Sequence, residues 1–222
     1  MAATQNGYKI IASTRDLATI KVGSTPAVQV RKGSTAVVLG WLGRELNAGV
    51  EKAVSFYGWR TAATNARVGG SPDSNHVSGT AIDFNGAKHR NEAAHGHAHL
   101  ASGWSKSQTQ AIRTLLAACS GVVHYGGDYA VGWRDFMHFD IRASVAALDK
   151  AAKKLKGGWV TVTVAKGATF NGRNKPSTKT GKVIHRRKRG FRIYYADVVY
   201  REGRLWLKTR YGTYYAAEYT TF

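Results

Sequence analysis

Apolar side chains recur at helical spacing in three stretches of the first 156 residues. In the first, an apolar residue occupies every fourth position across 38–54, and Ser34 precedes it as the expected N-cap. In the second, Ser105 and Gln108 match a capping box ahead of an apolar face. The third, over 143–156, ends in several lysines, which suit the negative end of a helix dipole. The pattern therefore predicts three helices.

Short alternating segments of apolar and polar residues predict strands before and between these helices. These segments are 28–30, 80–84, 122–125 and 136–141. Residues 61–103 are otherwise poor in periodicity and rich in Gly, Ser, Asn and His. An irregular stretch of that length inside a compact domain usually carries function, so we expect functional residues there.

The character of the chain changes after the pair Gly157-Gly158, which is the expected domain boundary. Val160, Val162 and Val164 alternate with polar residues, and short aromatic-rich runs separated by Gly and Asn follow. This patterning predicts a small all-β barrel over residues 159–222, behind a first domain of residues 1–156.

The charge of the chain indicates polyanionic partners. The 222 residues carry a net charge of +20, and residues 159–222 contribute +11 of it, with 14 of the 33 Lys and Arg but only three acids. Such an excess suits nucleic acid, an anionic membrane surface or the acidic polymers of a cell wall, and charge alone does not choose among them. No apolar stretch approaches 18 residues, so no membrane span is expected.

The N-terminal segment and the cysteine content bear on where the protein is made. Residues 1–20 have no apolar core of the kind that a signal peptide needs, so we expect synthesis in the cytoplasm without export. Cys119 is the only cysteine, which excludes an internal disulfide. It lies on the apolar face of the second predicted helix and is expected to be a buried hydrophobic residue.

Two short segments contain the residue types of a metal site. One runs from Ser74 to Phe84 and contains His76 and Asp83, and the other, 135–140, contains His138. Two imidazoles and one carboxylate form a mixed ligand set that suits tetrahedral Zn²⁺ with one position left for water. Spacing alone leaves open the alternative of an ordinary hydrogen-bonded His–Asp pair.

The combined motif resembles a known family of zinc peptidases. The patterns S-x-H-x-x-G-x-A-x-D and D-x-x-H-F are similar to those of VanY-type D-alanyl-D-alanine carboxypeptidases and phage L-alanyl-D-glutamate endopeptidases. The likeness is strongest to endolysins of phages that infect actinobacteria, and it covers residues 15–142. It includes T-N-A-R at 64–67 and Y-G-G-D at 125–128. Together with the element order, it implies an α+β zinc peptidase domain with a small antiparallel sheet and flanking helices.

The resemblance implies roles for individual residues. His76, Asp83 and His138 would bind Zn²⁺, and Asp135 would act as general base, although an Asp at this position is also a plausible turn cap. An arginine should hold substrate carboxylate or the developing oxyanion. Arg60, in G-W-R, and Arg67, in T-N-A-R, both match the family in this region, and the spacing of the following loop leaves the choice open. Either arginine is alternatively a surface cation.

Two further segments have competing interpretations. Residues 169–177 resemble the corresponding element of bacterial Src-homology-3-type domains, which implies a Src-homology-3-like cell-wall-binding barrel. Binding of nucleic acid or mere support of the first domain are the alternatives for this unit.

The run His95, His97 and His99 suggests a second metal site, but a solvated lid is the preferred interpretation. His89 is likewise expected to be a solvated residue rather than a metal ligand.

The leading functional prediction is a phage endolysin. It would hydrolyse a peptide bond in peptidoglycan stem peptides or cross-links through a metal-activated water, after release to the wall through a holin pore. We expect peptidoglycan and anionic wall polymers as partners, no nucleic acid, and a monomer. The alternatives are a host wall-remodelling D,D-carboxypeptidase and a non-catalytic basic binding module that retains structural zinc. The sequence does not specify which peptide bond is cut.

Overall fold

The computed structural model describes residues 2–222, and these divide into two compact units, one ending at Ala152 and one spanning Lys153–Phe222. No helix within 2–222 is both long enough and apolar enough to cross a membrane. The helices are α1 (Ser34–Gly49), α2 (Ala62–Arg67), α3 (Lys106–Ala118) and α4 (Val145–Lys156), the last of which continues into the second unit. The strands of the first unit are β1 (Leu17–Ile20), β2 (Val28–Arg31), β3 (Phe56–Tyr57), β4 (Ala81–Phe84), β5 (Val123–Tyr125) and β6 (His138–Ile141).

A four-stranded antiparallel sheet in the order β3-β4-β6-β5 lies at the centre of the first unit. One face contributes Ile82 and Phe139 to the core, and helix α1 packs against strand β4 and helix α3. On the other face, Tyr57, Asp83 and His138 stand in one row across three strands, because Asp83 pairs with both of the others. The predicted alternation of strand 80–84, with Asp83 opposite to Ile82, is confirmed.

Helix α1 forms where the apolar stripe predicts it, but its two ends differ from the prediction. Gly33, with φ 81°, is the N-cap and offers no side-chain cap, so Ser34 is the first helical residue and instead hydrogen-bonds to the carboxylate of Asp149 at 2.5 Å. The helix ends at Gly49, and Val54, beyond it, is 66% exposed. The prediction that Val54 continues the buried stripe of this helix is therefore wrong, because the helix ends before Val54.

The second predicted helix is confirmed in detail. The Ser105 hydroxyl accepts a hydrogen bond from the Gln108 backbone N–H at 3.2 Å, and the Gln108 side chain accepts one from the Ser105 N–H at 2.9 Å. Cys119 is fully buried at the end of this helix, as predicted. The sequence pattern missed helix α2, because its six residues are too few to show an apolar repeat.

The second unit is all-β after helix α4, as predicted. Its strands are β7 (Gly158–Thr161), β8 (Thr169–Arg173), β9 (Val183–Lys188), β10 (Arg192–Tyr195), β11 (Asp197–Arg201), β12 (Arg204–Lys208) and β13 (Tyr214–Ala216). They form a five-stranded sheet, β11-β12-β13-β8-β9, and a separate ribbon of β10 and β7.

A closed barrel is not found among the residues that the structure describes. Strands β11 and β9 remain at the two edges of the five-stranded sheet, and β10 pairs only with β7. Ala196 alone separates β10 from β11, so the chain leaves the ribbon for the other sheet without a turn that would pair these two strands. The predicted likeness to a Src-homology-3 barrel stays a prediction.

Glu51 anchors the segment that follows strand β4. Its carboxylate accepts hydrogen bonds from Asn85 Nδ2 at 2.7 Å and Lys88 Nζ at 2.7 Å, and it contacts His89 Nε2 at 2.9 Å. Burial alone would raise the pKa of Glu51, but these three partners outweigh it and lower the pKa to about 2. His89 was predicted to be solvated, but it is fully buried and its ring stacks on Trp104. The contact between His89 Nε2 and the Glu51 carboxylate holds the ring in this buried position.

We expect Glu51→Gln to lower the free energy of unfolding by about 1–2 kcal/mol at neutral pH. Because the folded-state pKa of Glu51 lies below the ordinary value of 4.5, its contribution is complete above that pH and disappears as the pH falls towards 2. Urea unfolding of both proteins at pH 7 and at pH 3 measures this difference. A gap of equal size at both pH values would contradict the assigned ionic anchor.

Candidate metal centre

His76, Asp83 and His138 meet on the polar face of the four-stranded sheet. All three are buried, and one ligand atom from each lies within 4.8 Å of the other two. Asp83 Oδ1 is 3.1 Å from His76 Nε2 and 3.0 Å from His138 Nδ1. Ligands of a tetrahedral zinc ion with bonds of about 2.0–2.1 Å stand roughly 3.3 Å apart, so both separations suit one shared ion.

A glycine turn brings His76 next to Asp83. Gly79 has φ 67°, and a Cβ at this position would stand 2.7 Å from the backbone nitrogen of Arg31. The Gly79 carbonyl accepts a hydrogen bond from that nitrogen at 2.7 Å, which docks the turn on strand β2. Only glycine combines this backbone conformation with so close an approach, so the turn requires glycine at this position.

The orientation of His76 leaves the correct nitrogen for a metal. Its Nδ1 lies 2.7 Å from the carbonyl oxygen of Gly58, so Nδ1 carries the proton and donates it. Nε2, which faces Asp83, then keeps its lone pair. Metal-binding histidines in proteins are held in this way, with the second ring nitrogen hydrogen-bonded to a carbonyl or carboxylate. The residues present therefore fit a zinc ion.

Arg60 binds the outer oxygen of the same carboxylate. Its Nη2 donates to Asp83 Oδ2 at 2.8 Å, while Oδ1 faces the two imidazoles. Burial acts to raise the pKa of Asp83, but the adjacent imidazoles of His76 and His138 outweigh it and hold the pKa well below its usual range. Asp83 is therefore ionised, as a metal ligand must be.

The two candidate arginines occupy different environments. Arg60 lies against Asp83 with a quarter of its side chain exposed, and its Nε is shielded from solvent without a partner among residues 2–222. Arg67, at the end of helix α2, is exposed, and the structure gives it no hydrogen bond or ion pair with a described residue. Arg60 is thus the arginine that the fold brings to the metal centre.

Asp135 has one oxygen that is held and one that is free. Oδ2 accepts a hydrogen bond from Asn91 Nδ2 at 2.7 Å, whereas Oδ1 is shielded from solvent and has no partner among the described residues. Burial raises the pKa of Asp135, and the negative charge of Asp83 raises it further. An oriented carboxylate with a raised pKa and an unused oxygen has the properties of a general base.

Strand β6 begins at His138 rather than at Phe136, and this difference positions Asp135. The Asp135 backbone N–H donates to the Gly126 carbonyl at 2.9 Å, and its own carbonyl accepts from the His138 N–H at 3.2 Å. Asp135 therefore lies in a turn that leads directly into the strand of His138. The prediction that the strand extends back to Phe136 is wrong, because these turn hydrogen bonds take the place of the strand-to-strand hydrogen bonds that a longer strand would form.

Asp140 braces the segment that carries His76. Its fully buried carboxylate accepts from Asn75 Nδ2 at 2.6 Å and from Arg142 Nε at 3.0 Å. Burial would raise the pKa of Asp140, but hydrogen bonds and the charges of His138 and Arg142 lower it. Asn75 precedes His76 in the chain, so this network ties the loop of one histidine to the strand of the other.

The remaining predicted candidates lie outside this cluster. His95, His97 and His99 are exposed, and the described residues contain no metal-ligand group besides His76, Asp83 and His138. Sequence reasoning missed the functional positions of Gly58, Asn75 and Asn91. Asn75 lies inside the quoted motif, whereas a backbone carbonyl such as that of Gly58 leaves no signal in a sequence.

Comparison with known proteins supports a metallopeptidase. Residues 27–110 match the family model described as Peptidase M15, a range of less than half the chain that includes His76 and Asp83 but ends before Asp135 and His138. Peptidases of this family are typically zinc-dependent, in agreement with the buried His-Asp-His group. The match supports the predicted likeness to VanY-type zinc peptidases. No curated protein and no solved structure matches the chain.

Proposed function

We propose that this protein is a phage endolysin, a zinc peptidase that hydrolyses a peptide bond in the stem peptides or cross-links of bacterial peptidoglycan. The observation that carries the proposal is the buried group of His76, Asp83 and His138 beside a carboxylate, Asp135, with an unused oxygen. The Peptidase M15 match supports a peptidase acting on peptidoglycan. The endolysin role rests on the resemblance of the motifs at 74–84 and 135–139.

The three ligand residues would hold the zinc ion through His76 Nε2, Asp83 Oδ1 and His138 Nδ1. A bound zinc ion supplies a Lewis acid that polarises a carbonyl and lowers the pKa of a water ligand towards 7. Arg60 keeps Asp83 oriented through Oδ2, and the Gly58 carbonyl keeps His76 in the binding tautomer.

Asp135 performs the proton transfers of the hydrolysis. Its free Oδ1 takes a proton from the attacking water as the oxygen of that water bonds to the scissile carbonyl carbon. The same oxygen then delivers the proton to the nitrogen of the breaking C–N bond, so the amine leaves neutral. Asn91 holds the other oxygen throughout, which fixes the direction of Oδ1.

We expect Arg60→Ala to lower kcat/KM by about 10–100-fold, with weaker zinc binding, because Asp83 Oδ2 loses its charged partner. Arg67→Ala is the matched control and should stay within about twofold of the parent, since Arg67 is exposed at the end of helix α2. Zinc titration and hydrolysis of a soluble muropeptide measure both. A large loss in Arg67→Ala with an unaffected Arg60→Ala would reverse the assignment.

The bond that is cut is identified by mass spectrometry of peptidoglycan fragments. Cleavage between L-alanine and D-glutamate, between D-alanine and diaminopimelate, or of the terminal D-alanyl-D-alanine leaves fragments of different mass. Release of any of these fragments by the purified protein supports the proposal. Purified protein that binds zinc and releases none of them would instead favour a non-catalytic binding module.

The endolysin role has its own test. Cells that produce the protein in their cytoplasm should keep an intact wall until their membrane is permeabilised, and should then lyse within minutes. Lysis that needs no permeabilisation would contradict release through a membrane pore. Trimming of terminal D-alanine without lysis would favour the wall-remodelling carboxypeptidase.

A further inference from the structure

A groove of about 550 Å³ lies on the second unit, and none of the residues that line it belongs to the candidate metal centre. Its lining comes from Trp159, the segment 185–194 and the segment 209–215. Each of the three arginines that line it stands over an aromatic ring: Arg187 over Phe191 at 4.4 Å, Arg192 over Trp159 at 5.0 Å, and Arg210 over Tyr211 at 4.7 Å.

The arginines of this groove lack acidic partners. No carboxylate lines the groove, and none of the three arginines forms an ion pair with a residue in the described range 2–222. Two of the acids of this unit are engaged elsewhere, Glu202 with Ser177 and Glu218 with Arg204. Arg187 Nε, in addition, is shielded from solvent and has no hydrogen-bond partner among those residues. The groove therefore concentrates unneutralised positive charge.

Aromatic faces in the groove are exposed. Tyr211 is 77% and Trp159 61% exposed, and Tyr194 packs its ring edge against Trp159 at 5.4 Å. Exposed rings of this kind stack on the faces of sugars or bases. A guanidinium presents a fork of N–H donors that binds a phosphate through two hydrogen bonds. The combination suits a ligand that carries both phosphate and a ring.

We propose that this groove binds a phosphodiester-linked glycopolymer of the bacterial wall, with the arginines on its phosphates and the aromatic rings on its sugars. The choice of a wall polymer over nucleic acid rests on the proposed function, because a peptidase for wall peptides gains from being held on the wall. Tethering of this kind raises the effective concentration of the substrate at the catalytic unit.

The test is sedimentation of the full chain with purified walls, in an Asp135→Asn background that leaves the walls undigested. One wall sample is intact, and the other has lost its phosphodiester polymers through treatment with hydrofluoric acid. Arg187→Gln with Arg192→Gln should weaken binding to intact walls by about tenfold. The control is Arg186→Gln with Arg189→Gln, which removes the same charge from exposed positions of the same segment outside the groove.

The expected result is a loss confined to the groove variant and to intact walls, with binding of the parent protein falling as salt is added. Equal losses in the two double variants would overturn the proposal, because net charge rather than the groove would then drive binding. Equal binding to intact and stripped walls would overturn it as well, as would tight binding of single-stranded DNA without binding of walls. The assay needs no catalysis, so its failure is distinct from failure to cleave muropeptides.

Discussion

Asp135→Asn is expected to reduce peptide hydrolysis by about 10²–10⁴-fold while zinc stays bound. The substitution keeps the size of the side chain, and its amide oxygen can still accept the hydrogen bond from Asn91 Nδ2. It removes the charge and the proton affinity of Oδ1, the one oxygen of the carboxylate that lacks a partner among the described residues. The measurements are kcat on a soluble muropeptide and zinc content of the purified protein.

The control for this prediction is Asp16→Asn, which removes a carboxylate from an exposed ion pair with Lys32. Exposed pairs of this kind contribute little, so this variant should match the parent in activity and in stability. Full activity of Asp135→Asn would exclude Asp135 as the general base. Loss of zinc along with activity would instead assign Asp135 to the support of the metal centre.

His138→Gln is expected to abolish both stoichiometric zinc binding and hydrolysis. It removes one of the three proposed protein ligands, and a neutral amide oxygen is a weaker zinc ligand than the imidazole nitrogen of His138, whose Nδ1 stands 3.0 Å from Asp83 Oδ1. Zinc should raise the unfolding temperature of the parent protein and not that of the variant, because an ion that binds only the folded state stabilises it. A chelator should inactivate the parent reversibly.

Zinc affinity of the parent protein should rise with pH. Burial would lower the pKa of His138, but its hydrogen bond to Asp83 and the surrounding negative charge raise it, so a proton competes with the ion below that raised pKa. His99→Gln is the matched control, since His99 is exposed and lies outside the group of three candidate ligands. Loss of zinc in His99→Gln, or retention of zinc in His138→Gln, would contradict the ligand assignment.

Sequence reasoning succeeded where a local rule decided the outcome. The capping box at Ser105 and Gln108 is a contact between neighbours in the chain, and it forms as predicted. The alternation that separates Asp83 from Ile82 follows from strand geometry alone. The sequence-based prediction failed where contacts between residues far apart in the chain set the burial of a side chain. His89 is the example, because its burial depends on the carboxylate of Glu51 and the ring of Trp104.

The amino-acid sequence by itself determined the residue types of the candidate centre, the turn at Gly79 that brings His76 near Asp83, and the division into an α+β part and an all-β part. These features depend on backbone conformation and on spacing along the chain, so they can be read from neighbouring positions. The tertiary structure alone decided that His138 pairs with Asp83 across two strands and that Arg60 rather than Arg67 reaches that carboxylate. It also decided that the sheet of the second unit stays open. The physical reason is that strand register and side-chain burial are set by contacts between segments far apart in the chain, which spacing along the chain does not encode.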